Sequence, residues 1–319
     1  MAASSQPRPQ VVVIVGPTAA GKSSMALRLA QDVGGEIVNA DALQVYRDLE
    51  IGTDKPTAEM RRAVPHHLVD VLDPEEPYSA GEFARRARVA LAEIAGRGRT
   101  AFVVGGSGLY LRALLEGLAP VPRSDPATRA RLEARLEDEG LPALRRELER
   151  VDPGTAGRLT TGDTQRTLRA LEVFEVSGVT LSEWLARKPA EPPISARKLG
   201  LTVPRAILYD RIADRIHQMI ERGWLAEIEM MLKRGTDPRA PAFQAIGYRQ
   251  LMRHLQGEYS RQEAIDETVR ATRRYAKRQF TWFRREPDIE WFSGLDIDQA
   301  LSALSRDMTS KELGLDEQA

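Results

Sequence analysis

Apolar positions follow two rhythms along this chain. Short unbroken apolar runs predict buried strands at Val11–Val15, ending at Gly16, and at Ala101–Val104, stopped by Gly105 and Gly106. A further short strand is expected over Glu36–Ala40, closing on Asp41. Between these runs the apolar residues step by three or four. Ala26, Leu29, Ala30 and Val33 predict a helix from Lys22 to about Val33. Ser79, with Glu82 three residues on, predicts the start of a second helix reaching about Ala95. Leu109, Ala113 and Leu114 mark a third. Strand alternating with helix implies an α/β fold with a doubly wound parallel sheet.

The pattern changes near Ala119. Residues 124–187 hold no strand-like run and are dense in Arg, Glu, Leu and Ala, so 119–197 is expected to be an all-helical insertion. Lys198–Val203 returns to the sheet, and helices are expected over about 205–222, 224–234, 244–255 and 262–284. The predicted organisation is a core of 11–118 and 198–292, a disordered segment 1–10 and an acidic tail 293–319. A chain of 319 residues can bury such a core without disulfides, and the absence of cysteine excludes a thiol nucleophile and Cys-ligated zinc. No run approaches a membrane span, so the expectation is a cytoplasmic protein, monomeric by default. His66, His67, His217 and His254 lack metal-ligand spacing, and Trp184, Trp224 and Trp291 read as packing residues.

Charge changes the picture only when its placement is read. The 46 basic and 46 acidic side chains cancel, which taken alone argues mildly against a nucleic-acid partner. Yet Arg270, Arg273, Arg274, Lys277, Arg278, Arg284 and Arg285 follow one another with no acid among them. They flank an apolar stripe of Ile265, Val269, Thr272, Ala276, Phe280 and Phe283, interleaved with Tyr275 and Trp282. Residues 286–319 carry nine acids against two bases. The one-sign flank is either a surface for phosphates or a solvated face paired with acids elsewhere.

The candidate chemistry begins at Gly16-Pro17-Thr18-Ala19-Ala20-Gly21-Lys22-Ser23, which fits the phosphate-binding loop G-x-x-x-x-G-K-[ST] between a strand and a helix. Its glycines allow a tight turn that aims backbone N–H groups at phosphate oxygens, as in the P-loop NTPases. Lys22 would reach the outer phosphate and the Ser23 hydroxyl would ligate Mg²⁺. The pattern establishes a polyphosphate, leaving open ATP or another diphosphate. Where an NTPase strand ends in a metal-holding acid, this chain has Gly105-Gly106-Ser107-Gly108. The nearest acid ending a strand is Asp41, which is a general base, a metal ligand through water, or a turn aspartate. Arg211 and Arg215 share a helix face as a surface pair or a clamp on a leaving diphosphate.

These residues sit in a longer series of motifs. G-P-T-A-A-G-K-S (16–23), N-A-D-A-L-Q-V-Y (39–46), I-G-T-D-K-P (51–56), P-H-H-L-V-D (65–70), Y-S-A-G-E-F (78–83), V-G-G-S-G-L-Y (104–110), R-A-L-E-V (169–173), A-I-G-Y-R-Q (245–250) and K-R-Q-F-T-W-F-R (277–284) resemble, in order, the tRNA dimethylallyltransferases, the bacterial tRNA isopentenyltransferases, over roughly residues 10–292. The resemblance implies transfer of a dimethylallyl group from dimethylallyl diphosphate to N6 of adenine 37, beside the tRNA anticodon. It implies Asp41 as the base, with Lys22, Ser107 and Arg215 stabilising the leaving diphosphate alongside Mg²⁺ on Ser23. It also implies tRNA contacts at Asp41, Ala42, Leu43, Gln44, Ser107, Arg129, Gln165, Arg166, Arg169, Gln244, Gly247, Tyr248, Arg249, Lys277, Arg278, Gln279, Trp282 and Arg284, and a tRNA-gripping role for the insertion.

Three positions depart from the family's commoner pattern: Ala42-Leu43 for Ser-Met or Ser-Ala, Ser107 for Thr, and Asp54 for Ala. An adenylate isopentenyltransferase acting on free AMP would need neither the insertion nor the basic helix. A P-loop small-molecule kinase and a non-catalytic RNA-binding switch are the other readings weighed. The last has no use for Asp41 and Ser107 beside the loop.

Overall fold

The structure is a computed structural model describing residues 11–296, 298, 301 and 302. The expected disordered segment and most of the expected acidic tail lie outside the described residues. Six strands form one sheet: β1 (Val11–Val15), β2 (Glu36–Asn39), β3 (His66–His67), β4 (Ala101–Val104), β5 (Arg197–Thr202) and β6 (Ile289–Ser293). Their order is β3-β2-β4-β1-β5-β6 and every pairing is parallel. Helices α1 (Lys22–Asp32), α2 (Ala58–Ala63), α3 (Ala80–Gly96) and α4 (Gly108–Leu115) follow the first four strands. After five helices, α5 (Pro126–Glu139), α6 (Leu141–Val151), α7 (Pro153–Ala156), α8 (Thr164–Ser177) and α9 (Leu181–Leu185), the chain returns to the sheet. It finishes with α10 (Arg205–Glu221), α11 (Trp224–Lys233), α12 (Tyr248–Leu255) and α13 (Arg261–Phe283).

The sheet has a core on each face, which is why its strands read as unbroken apolar runs. Alternate residues of a strand point to opposite faces. Val12 and Ile14 of β1, with Phe102 and Val104 of β4, pack among Leu29, Ile212, Ile216, Tyr248 and Ile265. Val13 and Val15, with Ala101 and Val103, pack among Phe83, Ala87, Ile94, Leu111 and Leu114. The doubly wound expectation is met. In such sheets the crevice for ligands opens beyond the carboxyl ends of the strands. The segments after β1, β2 and β4 are the phosphate loop, Asp41 and Ser107.

Several elements were not legible. Short α2 and two-residue β3 leave too little pattern to detect. β6 emerges from Pro287-Asp288-Ile289-Glu290, a stretch whose acids masked a strand on the sheet edge. Ser293 closes that strand, Gly294 N–H bonds Thr202 O at 2.8 Å, and Leu301 joins the core, so these described residues of the expected tail are packed. The expected helix over 244–255 is broken: a 3₁₀ turn, Pro241–Gln244, precedes α12, and Gly247 between them takes φ 92° and lies where a Cβ would meet the Trp224 ring.

The chain divides into two compact units, one of Met1–Leu115 with Ile194–Ala319, the other of Glu116–Pro193. Among its described residues, the second unit's regular elements are all helices. Asp125 caps α5 ahead of Pro126, Asp163 caps α8, and Thr180 with Glu183 forms a capping box on α9. Leu132, Leu144, Leu148, Leu168 and Leu171 form its core. Buried Glu172 accepts from Ser124 Oγ and Asp125 N–H at the start of α5.

Candidate active site

The phosphate loop is shaped by one close approach and two left-handed residues. Gly16 has φ 144° and lies so near β5 that a Cβ would stand 2.6 Å from Leu201 O. Ala19 takes φ 63° and Gly21 φ 95°, turning the chain into α1. Among the described residues, no protein group accepts the N–H groups of Gly21, Lys22 and Ser23, which cluster at the helix N-terminus and suit an anion. Lys22 Nζ donates to Pro17 O at 2.8 Å. Burial, then the neighbouring Arg215 guanidinium, lowers its ammonium to about 8, while the Asp41 carboxylate acts in the opposite sense.

A cavity of 420 Å³ opens beside this loop. Its walls bring together Thr18, Ala19, Gly21, Lys22 and Ser23, with Asp41 and Gln44 after β2, Gly105 and Gly106 after β4, and Arg211 and Arg215 from α10. Ser107 follows the last of the cavity glycines at the start of α4, and its carbonyl accepts Leu111 N–H. Of the roles that its spacing left open, Asp41 visibly fills the turn role. Oδ1 holds the turn by accepting Leu43 N–H at 2.8 Å, while among the described residues Oδ2 takes no protein donor. Burial pushes the Tyr275 phenol up, and the charge of Asp41 adds to it.

The i,i+4 arginines of α10 do face one cavity, and Arg222 joins them. Asp54 stands 3.7 Å from both Arg215 and Arg222, so an acid shares the wall with the cations. Lys55, with its side chain fully buried, donates to Tyr46 O, Glu50 and Asp70 and ties down the loop that carries Asp54. Thr53, Asp54, Lys55, His66 and Arg222 also line the cavity; the first four fall in the family motifs, but nothing local marks any of them as a cavity residue, and long-range folding assembles them. Mg²⁺ takes oxygen ligands. The Ser23 hydroxyl is exposed toward the cavity and, among the described residues, unbonded, with Asp41 across the same space, so the donor set fits that ion.

The flank of α13 divides. Arg270 and Arg274 reach Glu267, and Arg273 donates to Tyr209 O at 3.1 Å while lying over that ring. Among the described residues, Lys277, Arg278, Arg284 and Arg285 have no acidic partner. Arg112, Arg274, Lys277, Arg278, Thr281, Trp282, Arg285 and Glu286 enclose a second hollow of 620 Å³. The buried stripe is not quite the expected one: Thr272 and Phe280 are half-buried, whereas Ala264, Thr268, Ala271 and Gln279 face inward. Trp224 packs as expected, while Trp291 is 38% exposed and meets Phe280 edge to face.

Of the tRNA contacts implied by resemblance, Gly247, Tyr248 and Gln279 are buried, whereas Arg166, Gln244 and Arg249 are exposed. Tyr248 is fully buried and its hydroxyl donates to Glu227 at 2.7 Å, which also accepts Glu50 and Ile51 N–H; it is a core residue. Gly247 is buried against Trp224, while its neighbours Gln244 and Arg249 are exposed. The Gln44 amide donates to Thr53 O and Asp54 O, and Ala42 and Leu43 pack at the edges of the two cores. Gln279 is buried rather than presented. In the helical unit, Arg129 donates to Gln165 and Glu133, Arg169 reaches Pro122 O and Glu172, and Arg166 is exposed beside Asp163.

The family model described as IPP transferase matches residues 44–286, and one described as isopentenyl transferase matches 9–67. The chain belongs to the IPP transferase family. Relatives in that family include the tRNA dimethylallyltransferase of Syntrophobacter fumaroxidans, 46% identical over 301 residues and covering 93% of this chain and 87% of the relative. That of Thermomicrobium roseum is 47% identical, over 89% of this chain and 86% of the relative. Among solved structures, the full-length tRNA isopentenylpyrophosphate transferase of Bacillus halodurans aligns with a TM-score of 0.70 at 37% identity, covering 96% and 97% of the two chains. A eukaryotic dimethylallyltransferase acting on tRNA aligns at 0.78 with 27% identity, covering 95% of this chain and 80% of that one. The P-loop-like core of the IPP transferases is therefore the frame on which this cavity is built, and no helix among the described residues is long and apolar enough to cross a membrane.

Proposed function

We propose that this chain transfers the dimethylallyl group of dimethylallyl diphosphate to N6 of adenine 37 in the anticodon loop of tRNA, releasing pyrophosphate. The observation that carries the reading is the convergence of Lys22, Arg211, Arg215 and Asp41 on one cavity in a chain of this family. The diphosphate occupies the loop, held by the N–H groups of residues 21–23 and by Lys22. The amine nitrogen forms a bond to C1 as the C1–O bond breaks, and the electron pair leaves on the diphosphate. Lys22, Arg215 and the Ser107 hydroxyl offset the charge that accumulates there, where such preorganised groups are most effective. The N6 proton passes to Asp41 Oδ2, while Oδ1 stays on the Leu43 amide and keeps the carboxylate aimed. Mg²⁺ on the Ser23 hydroxyl would supply further charge neutralisation to the diphosphate when bound.

The tRNA is held through phosphate contacts from Lys277, Arg278 and Arg284, with Trp282 beside them, and by Arg129, Gln165, Arg166 and Arg169 of the helical unit. Gln244 and Arg249 add exposed polar groups. The target adenine leaves its stack, which an anticodon loop permits at low cost. Free AMP as acceptor is the second reading, and the cations on and just past α13, which among the described residues have no acidic partner, weigh against it. Incubation with Mg²⁺ and dimethylallyl diphosphate, with unmodified tRNA in one tube and AMP in another, separates the two. Dimethylallyl-adenosine in the tRNA digest is expected by mass spectrometry; product from AMP alone overturns the reading.

A further inference from the structure

Gln279 lies in the middle of the basic segment of α13, yet its side chain turns inward and is 5% exposed. Its Oε1 accepts the N–H of Thr18 at 2.9 Å, and its Nε2 donates to Gly106 O, also at 2.9 Å. One planar amide therefore joins the phosphate loop after β1 to the loop after β4. The partners fix its orientation, since an N–H can only donate and a carbonyl can only accept. Gly106 makes the room: a Cβ there would stand 1.9 Å from Nε2. Thr18 precedes Ala19, the left-handed residue from which the loop turns into α1. With its own N–H consumed, the loop presents its later N–H groups to the cavity.

We propose that Gln279 is a positioning residue of the diphosphate site and not a tRNA contact: its amide sets the curvature of the phosphate loop and its spacing from the segment that delivers Ser107. The inference rests on reading the cavity as a diphosphate site. Only a side chain with an acceptor and a donor on one planar group serves both partners. Glutamate supplies the acceptor and sets a second oxygen against Gly106 O; methionine supplies neither and leaves a buried N–H and C=O unpaired.

Three variants of the full chain test this against wild type, with pyrophosphate binding by calorimetry, tRNA binding by filter retention, and steady-state turnover. Gln279→Met should raise the pyrophosphate Kd and the KM for dimethylallyl diphosphate roughly tenfold, with tRNA Kd held within about twofold. Gln279→Glu should show the same loss at pH 8, with the ratio to wild type recovering on the order of pH 5, where a protonated carboxyl can again donate. A merely structural role would give no such recovery. If Gln279→Met fails to fold, Gly106→Ala displaces the amide from the other side and should reproduce the KM effect with tRNA binding intact. A tenfold loss of tRNA affinity with unchanged pyrophosphate binding would return Gln279 to the tRNA surface and overturn the proposal. Unchanged pyrophosphate binding in both the Met and Gly106→Ala variants would overturn it as well. Wild type that binds pyrophosphate but transfers nothing to tRNA would defeat the proposed function while leaving this measurement valid.

Discussion

The phosphate loop and the flank of α13 both offer positive charge to phosphates, by opposite means. The loop uses backbone N–H groups at a helix N-terminus plus one half-buried lysine, held by Gly16 against β5 and by Gln279 from α13. The flank uses four long side chains that, among the described residues, lack acidic partners, two on α13 and two just past its end. The first arrangement is shaped to a small anion in a confined place, where electrostatic interactions are strong and weakly screened. The second is adaptable and exposed, suited to a polymer whose phosphates can be met in several ways and whose binding weakens with salt.

The largest effect should come from chemistry inside the cavity. Asp41→Asn keeps an oxygen for the Leu43 amide but cannot take a proton, so kcat should fall roughly 10²- to 10⁴-fold, with tRNA affinity unchanged by filter binding. Equal loss of tRNA binding would make Asp41 a recognition residue instead. Lys277→Ala with Arg278→Ala attacks the other region. The tRNA Kd should rise about tenfold, and the slope of log Kd against log salt should flatten by roughly one to two units. The KM for dimethylallyl diphosphate should hold; if it moves, the two regions are not separable.

Acidity distinguishes them next. Because burial and Arg215 lower Lys22 to about 8, pyrophosphate affinity should break there and weaken above that pH as the ammonium loses its proton. The limiting slope is about tenfold per pH unit. The break should vanish in Lys22→Met, and tRNA affinity should show none there. The smallest effect concerns Asp54. Its contacts with Arg215 and Arg222 are partly exposed, where such pairs contribute about 0.2–1 kcal/mol. Asp54→Asn should therefore tighten pyrophosphate only about two- to fivefold, read by calorimetry. Weaker binding would mean that Asp54 orients the arginines rather than competing for them.

What could be read from the sequence follows the same division. The loop motif is contiguous, so Gly16 to Ser23 announces itself, and unbroken apolar runs announce strands packed on both faces. The Arg211 and Arg215 pair was visible through helical spacing. Asp54, Lys55 and Arg222 were not readable as site residues, because their proximity to Lys22 is created by the path of the chain over α10 and the loop after β2. The inward turn of Gln279 was hidden for a related reason. Its neighbours Lys277 and Arg278 face outward, and one step of 100° along a helix separates a charged flank from a buried contact. Tyr248 shows the same limit: the segment is in the family pattern, but its tyrosine is held by Glu227 in the core.

The hydrogen bond from Thr18 to Gln279 spans 261 positions of the chain. Add the strand order, in which β1 is flanked by β4 and by β5, and the phosphate loop depends on two late arrivals. A ribosome that has made β1, α1 and β4 has produced the motif but neither the strand against which Gly16 packs nor the amide that Thr18 needs. The contacts that fix the loop thus form near the end of synthesis, after the helical unit is made. A chain interrupted before α13 would carry an intact signature and an unfinished loop.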